Sequence, residues 1–407
     1  MKLTKLNYGE TVATANGRAL KRLLKENELV TLDAGLYDVN DNLLASWDEL
    51  VNTYGLDVST NYDNSSTSKK TNFYYIAQNN SKLTSGTKLI IGEGPTKIGN
   101  YAFQVCKLKV IVLPKSVTAI GSRSFYKCTM ESITLPDTLT TIGNNAFQLC
   151  SSLKRIALPS SLTTMGTYVF SYCTALKSIA IPNGITEIPN YCFEECTSLE
   201  SAMLPNTLTS IGMYAFKECE KLNSIVIPNG VTKISMCCFN NCAALRSVSL
   251  PNTLEYLGEK AFQYCYLLES ITLPDSLTTI GSYAFEHCEV LRDIVVPNGI
   301  TALPDECFSW CKLLTNVTLP NNLTSIGLRC FESCYSLVEL TIPVTVTSIG
   351  DYAFNSSHID KIYYNSTVSD WNSISKKDNF DYNAGAYIIY CTDAMIDENG
   401  NIIAYEN

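Results

Sequence analysis

The stretch Leu153-Lys-Arg-Ile156-Ala-Leu158-Pro159-Ser-Ser-Leu162-Thr-Thr-Met165-Gly166-Thr-Tyr-Val-Phe170-Ser-Tyr-Cys173 decides the fold, because its pattern returns along most of the chain. Proline recurs at 114, 136, 159, 182, 205, 228, 251, 274, 297, 320 and 343, first after 22 residues and then every 23. Phenylalanine keeps the same beat from Phe103 to Phe354, and cysteine follows it three residues later from Cys106 to Cys334, with Ser357 breaking the row. A period of this length marks a solenoid, in which no unit can bury its own apolar side and each seals its neighbour.

Each part of the unit has a physical reading. Ile156, Ala157 and Leu158 alternate with period two, so a short strand points Ile156 and Leu158 inward and Ala157 outward. Pro159 has no N–H for a neighbouring coil and ends the ladder. Leu162 and Met165 continue the buried row, Gly166 permits a tight or left-handed turn, and Phe-x-x-Cys is expected to make one helical turn. Twelve such coils, stacked about 4.8 Å apart along their strands, give a rod or arc roughly 60 Å long. Three coils open Pro-Asn-Gly, at Pro182, Pro228 and Pro297, and carry Pro189, Ser235 or Pro304 in place of the later glycine. The expectation is that Asn-Gly moves the permissive backbone site to the start of the coil.

These residues resemble the BspA-type leucine-rich repeat over about residues 85 to 365. The resemblance implies a leucine-rich-repeat solenoid of parallel strands and short helical turns, in a family largely of surface and adhesion proteins of host-associated bacteria and protists, with relatives in gut bacteriophages. The division expected is a small α+β domain over 1–56, a linker and entry strand over 57–84, the solenoid over 85–365 and a cap over 366–407. In the first segment, Arg18–Glu26 has helical spacing, residues 36–44 read as a hairpin, and Ser46 opens a capping box before a helix that Gly55 could end. Whether this segment protects the first coil or attaches the rod to something larger stays open. In the cap, Ile362–Tyr364 reads as a last repeat strand, Ser369 as the cap of a short helix, and Tyr387–Tyr390 with the Asn399-Gly400 turn as a closing strand and hairpin.

Composition limits the chemistry. The net charge of -9 would repel phosphate backbones, so nucleic acid is not an expected partner. Nowhere do 18 apolar residues run together to span a membrane, and the first ten residues lack the apolar core of a secretion signal. An ordinary cell-surface location is therefore in doubt, and a virion or a non-classically exported surface location are the readings carried forward. His287 and His358 are the only histidines and are expected at the surface, leaving little material for triads or zinc. No catalytic, metal or cofactor site is expected. Cys192/Cys196, Cys238/Cys242, Cys307/Cys311 and Cys330/Cys334 form Cys-Phe-x-x-Cys pairs that resemble metal or redox motifs. The alternative, preferred because they adjoin a buried phenylalanine, is that they pack as small hydrophobes and stay reduced. The expected structural ladder is Phe147, Phe170, Phe193, Phe216, Phe239, Phe262, Phe285, Phe308 and Phe331, with Cys150, Cys173, Cys196, Cys219, Cys242, Cys265, Cys288, Cys311 and Cys334.

Two surfaces could bind. The outward strand face, with Ala157, Ala180, Met203 and Val226, is smooth and lacks aromatics. The other carries Tyr101, Tyr168, Tyr191, Tyr214, Tyr283 and Tyr352 two residues before the phenylalanine, and Tyr172, Tyr264 and Trp310 two after it. This aromatic flank either shields the turn beneath it or offers stiff amphipathic contact area. The functional expectation is a non-catalytic recognition or adhesion module binding a protein or glycan on a cell surface. The alternative is a component of a phage virion or tail that docks into a larger assembly through residues 1–56.

Overall fold

The computed structural model describes residues 32–54, 56–59, 73, 86–377 and 379–403. The expected helix over Arg18–Glu26, Gly55, and most of the 57–84 segment lie outside the described residues. What is described is a solenoid with one continuous apolar core running from Leu36 to Ile396. Most coils contribute two short parallel strands and a turn segment. The first ladder, at the strand before the proline, joins such pairs as Val110–Val112 with Ser132–Thr134 and Ser178–Ala180 with Ser201–Met203. Ile156 is buried as the alternation requires, yet residues 156–158 make no regular strand. A second ladder, unread in the sequence, joins the Thr-x-Ile segments: Thr141–Ile142 pairs with Thr164–Met165, and Tyr256–Leu257 with Thr279–Ile280.

The breaks in the second ladder have a chemical cause. At most coils the glycine after this strand donates its N–H to the previous coil, as Gly166 does to the Ile142 carbonyl at 2.8 Å and Gly212 to Ile188 at 2.8 Å. Proline cannot donate, and the sheets end between Met165 and Glu187 and between Ile280 and Ala302, before Pro189 and Pro304. The middle Asn-Gly coil, opening at Pro228, carries Ser235 there, whose hydroxyl donates to the Ile211 carbonyl at 2.8 Å. Pairing of Ile211 with Ile234 continues through that coil.

The glycines act differently from the sequence expectation. Gly166 does not take a left-handed conformation, since the only positive-φ glycines among the described residues are Gly94, Gly385 and Gly400. A Cβ at Gly166 would lie 2.5 Å from the Asn144 amide nitrogen, and one at Gly184 would lie 2.3 Å from the Leu162 carbonyl oxygen. Both glycines let coils approach closely, so the Asn-Gly pair does not relocate a permissive site. Other coils place a hydroxyl where Gly184 stands; Thr207 donates to the Asn183 carbonyl at 2.9 Å.

The left-handed residues are instead non-glycines flanking each phenylalanine. Tyr168 and Tyr172 have φ of 57° and 60°, Tyr191 and Glu195 of 59° and 57°, and the pattern holds from Tyr101 to Ser356. The Phe-x-x-Cys segment is therefore a run of overlapping turns and not one helical turn. Ser171 donates to the Tyr168 carbonyl and Cys173 to that of Phe170, while the N–H groups of Tyr168, Phe170 and Tyr172 reach the carbonyls of Asn190, Cys192 and Glu194 in the next coil. Left-handed backbone costs an L-residue about 1–2 kcal/mol; here it aims alternate N–H groups across the gap between coils, which would otherwise be buried unpaired.

Inside, Phe103 to Phe354 form a column of parallel rings with centroids 5.2 Å apart at Phe125/Phe147 and 6.0 Å at Phe331/Phe354. Phe73 tilts against one end and Phe380 meets the other edge-on. Beside the column, each repeat cysteine from Cys128 to Cys334 donates its thiol to the phenylalanine carbonyl of the preceding coil, Cys173 to Phe147 at 3.1 Å and Cys196 to Phe170 at 3.1 Å. Burial pushes the thiols up, that of Cys196 to about 12, so they keep the proton they donate.

Both ends continue the first ladder. Residues 35–46 form the expected hairpin, Gly35–Tyr37 against Leu43–Ser46, with Asp41 at φ 64°. Gly35–Tyr37 also pairs antiparallel with Lys88–Ile90, so the hairpin adds to the solenoid sheet. Helix α1, Trp47–Asn52, is capped by Ser46, whose side chain accepts from Glu49 N, and ends at Thr53. At the other end Lys361–Tyr363 is followed by helix α2, Val368–Ser373, capped by Thr367 in place of Ser369 because Thr367 and Asp370 form the reciprocal box. The expected closing strand and hairpin follow: Ile388–Tyr390 pairs in parallel with Lys361–Tyr363, and Met395–Asp397 and Ile402–Ile403 close the sheet around Gly400.

A candidate binding flank on the turn face

The sequence rows become two aromatic ridges on the turn face. Tyr168, Tyr191 and Tyr214 stack face to face, with centroids 4.4 and 4.7 Å apart and planes within 5°. Their left-handed backbone sets this direction, and consecutive coils repeat it. Stacking occupies the ring faces, so this ridge presents edges and hydroxyls. The remaining members of the row stand apart: Tyr101 accepts from Arg123 at 3.4 Å, Tyr283 lies under Lys260 at 5.0 Å, and Tyr352 lies beside Arg329 at 5.4 Å.

The second ridge is Tyr264, His287 and Trp310, stacked at 5.0 and 5.2 Å. Around it lie residues that the sequence reading did not single out as contacts. Tyr266 is tilted 39° to Tyr264, Tyr335 stands edge-on to Trp310 at 84°, and His358 lies 5.8 Å from Tyr335. Tyr266 and Tyr335 fall four residues after Phe262 and Phe331, so a row at that offset was available as a signal. His358 is exposed as expected, whereas His287 is half-buried within the stack. Lys312 sits 5.7 Å over Trp310 and 2.8 Å from Glu289, whose carboxylate is 3.6 Å from His287 Nδ1.

In the same row as Tyr172 and Tyr264, two residues after Phe193 and Phe216, stand Glu195 and Glu218. Tyr172 is exposed and faces Glu194 and Glu195, whose carboxyls are both raised, first by burial. Glu195 reaches about 7, helped by its hydrogen bond with Glu218. Lys217 bridges to Glu218 at 2.9 Å. Behind the surface runs a polar ladder in which Asn240 donates to Gln263 at 2.7 Å and Gln263 to Glu286.

The strand face behaves as its composition suggests, with Met203, Val226 and Val295 protruding at 71%, 68% and 63% exposure among serines and threonines. Near its amino-terminal end a shallow pocket of about 310 Å³ is lined by Lys88, Lys109, Lys154 and Arg155, together with Glu131. Lys88 pairs with Asp41 and Lys154 with Glu131, so much of that positive charge is answered locally. All seventeen cysteines are buried and unbridged, and among the described residues no group of three or more His, Cys, Asp or Glu could hold a metal ion. Among the same residues, no helix is long and apolar enough to cross a membrane.

Comparison with known proteins agrees with this architecture. Residues 75–200, 186–313 and 257–378 match the BspA type leucine rich repeat region, in six copies. The fold is similar to that of a leucine-rich repeat protein from Bacteroides ovatus, at 27% identity over 75% of this chain and 92% of that one, with a TM-score of 0.58. It is also similar to a leucine rich cell surface protein from Faecalibacterium prausnitzii, at 27% identity over 71% and 92%, with a TM-score of 0.42. No curated protein matches the chain. With its repeats matched from residue 75 to 378, the chain belongs to the BspA-type leucine-rich-repeat family.

Proposed function

We propose that this protein is a non-catalytic recognition module whose extended surface binds a protein or glycan on a cell surface. The observation that carries the reading is the cluster of Tyr264, Tyr266, His287, Trp310, Tyr335 and His358, spread over neighbouring coils of a rigid column. Rings with polar tips lose little conformational freedom on binding and dominate contact energies in recognition surfaces. Tyr266 and Tyr335, 37% and 38% exposed, tilt out of the stack and keep contact area free that the Tyr168–Tyr191–Tyr214 ridge spends on itself. Repeat solenoids use such extended faces for binding, and family membership supports a binding role of this general kind.

The test is binding of the full chain to a glycan array and to panels of host and bacterial cells. The wild type should bind one of them, and the combined variant Tyr266→Ala, Trp310→Ala, Tyr335→Ala should lose at least tenfold in affinity. Tyr101→Ala, in the Phe103 coil at the other end of the array, should keep it. Wild type binding neither panel, or equal binding by the combined variant, would sink the assignment.

A further inference from the structure

The sulfur row has one irregular rung. From Cys128 to Cys334 the thiols of the row lie between 2.8 and 3.4 Å from the carbonyl oxygen of the preceding coil's phenylalanine. Cys106 opens the row, and its partner is a sulfur: its Sγ lies 3.1 Å from that of Cys128. Both side chains are buried at 1% exposure in adjacent coils.

Parallel neighbours hold their backbones about 4.8 Å apart, inside the Cα separation of about 4.4–6.8 Å that a disulfide accepts. A regular ladder still disfavours the bond, because side chains pointing the same way do not give the required dihedral. At this rung the geometry differs: the sulfur of Cys106 stands 3.1 Å from that of Cys128, and among the described residues no phenylalanine carbonyl of an earlier coil accepts from it.

We infer that Cys106 and Cys128 are a redox pair that closes to an intramolecular disulfide and staples the first two coils together. The co-reactant is a small-molecule disulfide such as oxidised glutathione. The thiolate of one cysteine attacks it, forming a mixed disulfide and releasing one thiol. The second cysteine's thiolate then displaces the other thiol, so the two protein thiols lose two hydrogens and one disulfide becomes two thiols. Burial keeps Cys128 protonated in the closed coil, so the exchange passes through opening of the terminal coil, which local unfolding permits without loss of the rest. Once closed, the bond ties the end of a stack whose stability is propagated from neighbour to neighbour.

The experiment equilibrates the full chain in glutathione mixtures of increasing oxidised fraction, then denatures it, alkylates free thiols and maps tryptic peptides by mass. Lys107, Lys109, Lys115, Arg123 and Lys127 separate the two cysteines onto different peptides. The expected product is one cross-link between the Cys106 and Cys128 peptides, with the other fifteen of the seventeen cysteines alkylated (17 − 2 = 15). Cys106→Ser should abolish it and Cys150→Ser should not. Serine is tolerated in the row, as Ser357 hydrogen-bonded to the Phe354 carbonyl demonstrates, and circular dichroism checks that each variant folds. The oxidised wild type should melt above the reduced form, with no such difference in Cys106→Ser. Seventeen alkylated cysteines at every mixture, or a cross-link between another pair such as Cys128 and Cys150, overturns the inference.

Discussion

Gly166 lies so close to Asn144 of the preceding coil that a Cβ built on it would stand 2.5 Å from the Asn144 amide nitrogen and 2.3 Å from its Oδ1. The neighbour is backbone and cannot rotate away, and the same Asn144 side chain accepts from Thr167 N at 3.0 Å. Gly166→Ala should therefore force two coils apart at a cost of about 1–3 kcal/mol, the range for overpacking. Gly385, at φ 92° with nothing near its Cβ position, carries on the same change only the cost of left-handed backbone, about 1–2 kcal/mol, without forcing any neighbour apart, and should lose less. Urea unfolding of both variants measures the contrast, and equal losses would contradict it.

Ser235 substitutes its hydroxyl for the glycine N–H that closes the second ladder elsewhere. Ser235→Ala leaves the Ile211 carbonyl without that donor and should cost about 1 kcal/mol. Ser235→Gly removes the Cβ as well, so the coils can close until the backbone N–H, present in all three residues, donates as it does at Gly212 and Gly258, and it should recover part of the loss in the same unfolding experiment.

Lys127 holds a φ of 59° two residues after Phe125. A branched side chain is the least compatible with that conformation, so Lys127→Ile should destabilise by about 1–2 kcal/mol. Lys127→Asn, which tolerates the left-handed region, should be neutral within about 0.5 kcal/mol. Thermal denaturation separates them; an isoleucine variant as stable as the asparagine one would show that the turn relaxes.

Tyr191 is the middle ring of its stack. Tyr191→Ala removes two ring contacts worth about 0.5–1.5 kcal/mol each, so it should weaken folding while leaving cell or glycan binding within twofold. Loss of binding without loss of stability would assign this ridge to contact and not to shielding.

The Glu195 carboxyl, raised to about 7, makes stability depend on pH. The folded state binds its proton more tightly than the unfolded chain does, so this contribution is full below the ordinary glutamate value and is lost as pH rises through about 7. Glu195→Gln should be more stable relative to wild type at pH 8 than at pH 5. A pH-independent difference in urea midpoint would contradict the shift.

The sequence alone determined the period, the identity of the buried column and the family resemblance, because Phe170, Cys173 and Pro159 must each meet their copies when coils of equal length stack. It also placed Tyr168, Tyr191 and Tyr214 in one row, since consecutive coils bring equal offsets together. Tertiary structure decided what those positions do with their backbones. Nothing in the side chains of Tyr168, Tyr172 or Lys127 announces a left-handed residue; the conformation is imposed by carbonyls of the neighbouring coil that need donors. Gly166 was legible as special for the wrong reason, because close approach to another strand leaves no local signature in a single unit. The gathering of Tyr266, Tyr335 and His358 beside Trp310, and the turning of Cys106 toward Cys128, likewise depend on how separate turns face each other in space. One-dimensional spacing specifies which residues recur; only the stacked coils specify which atoms they meet.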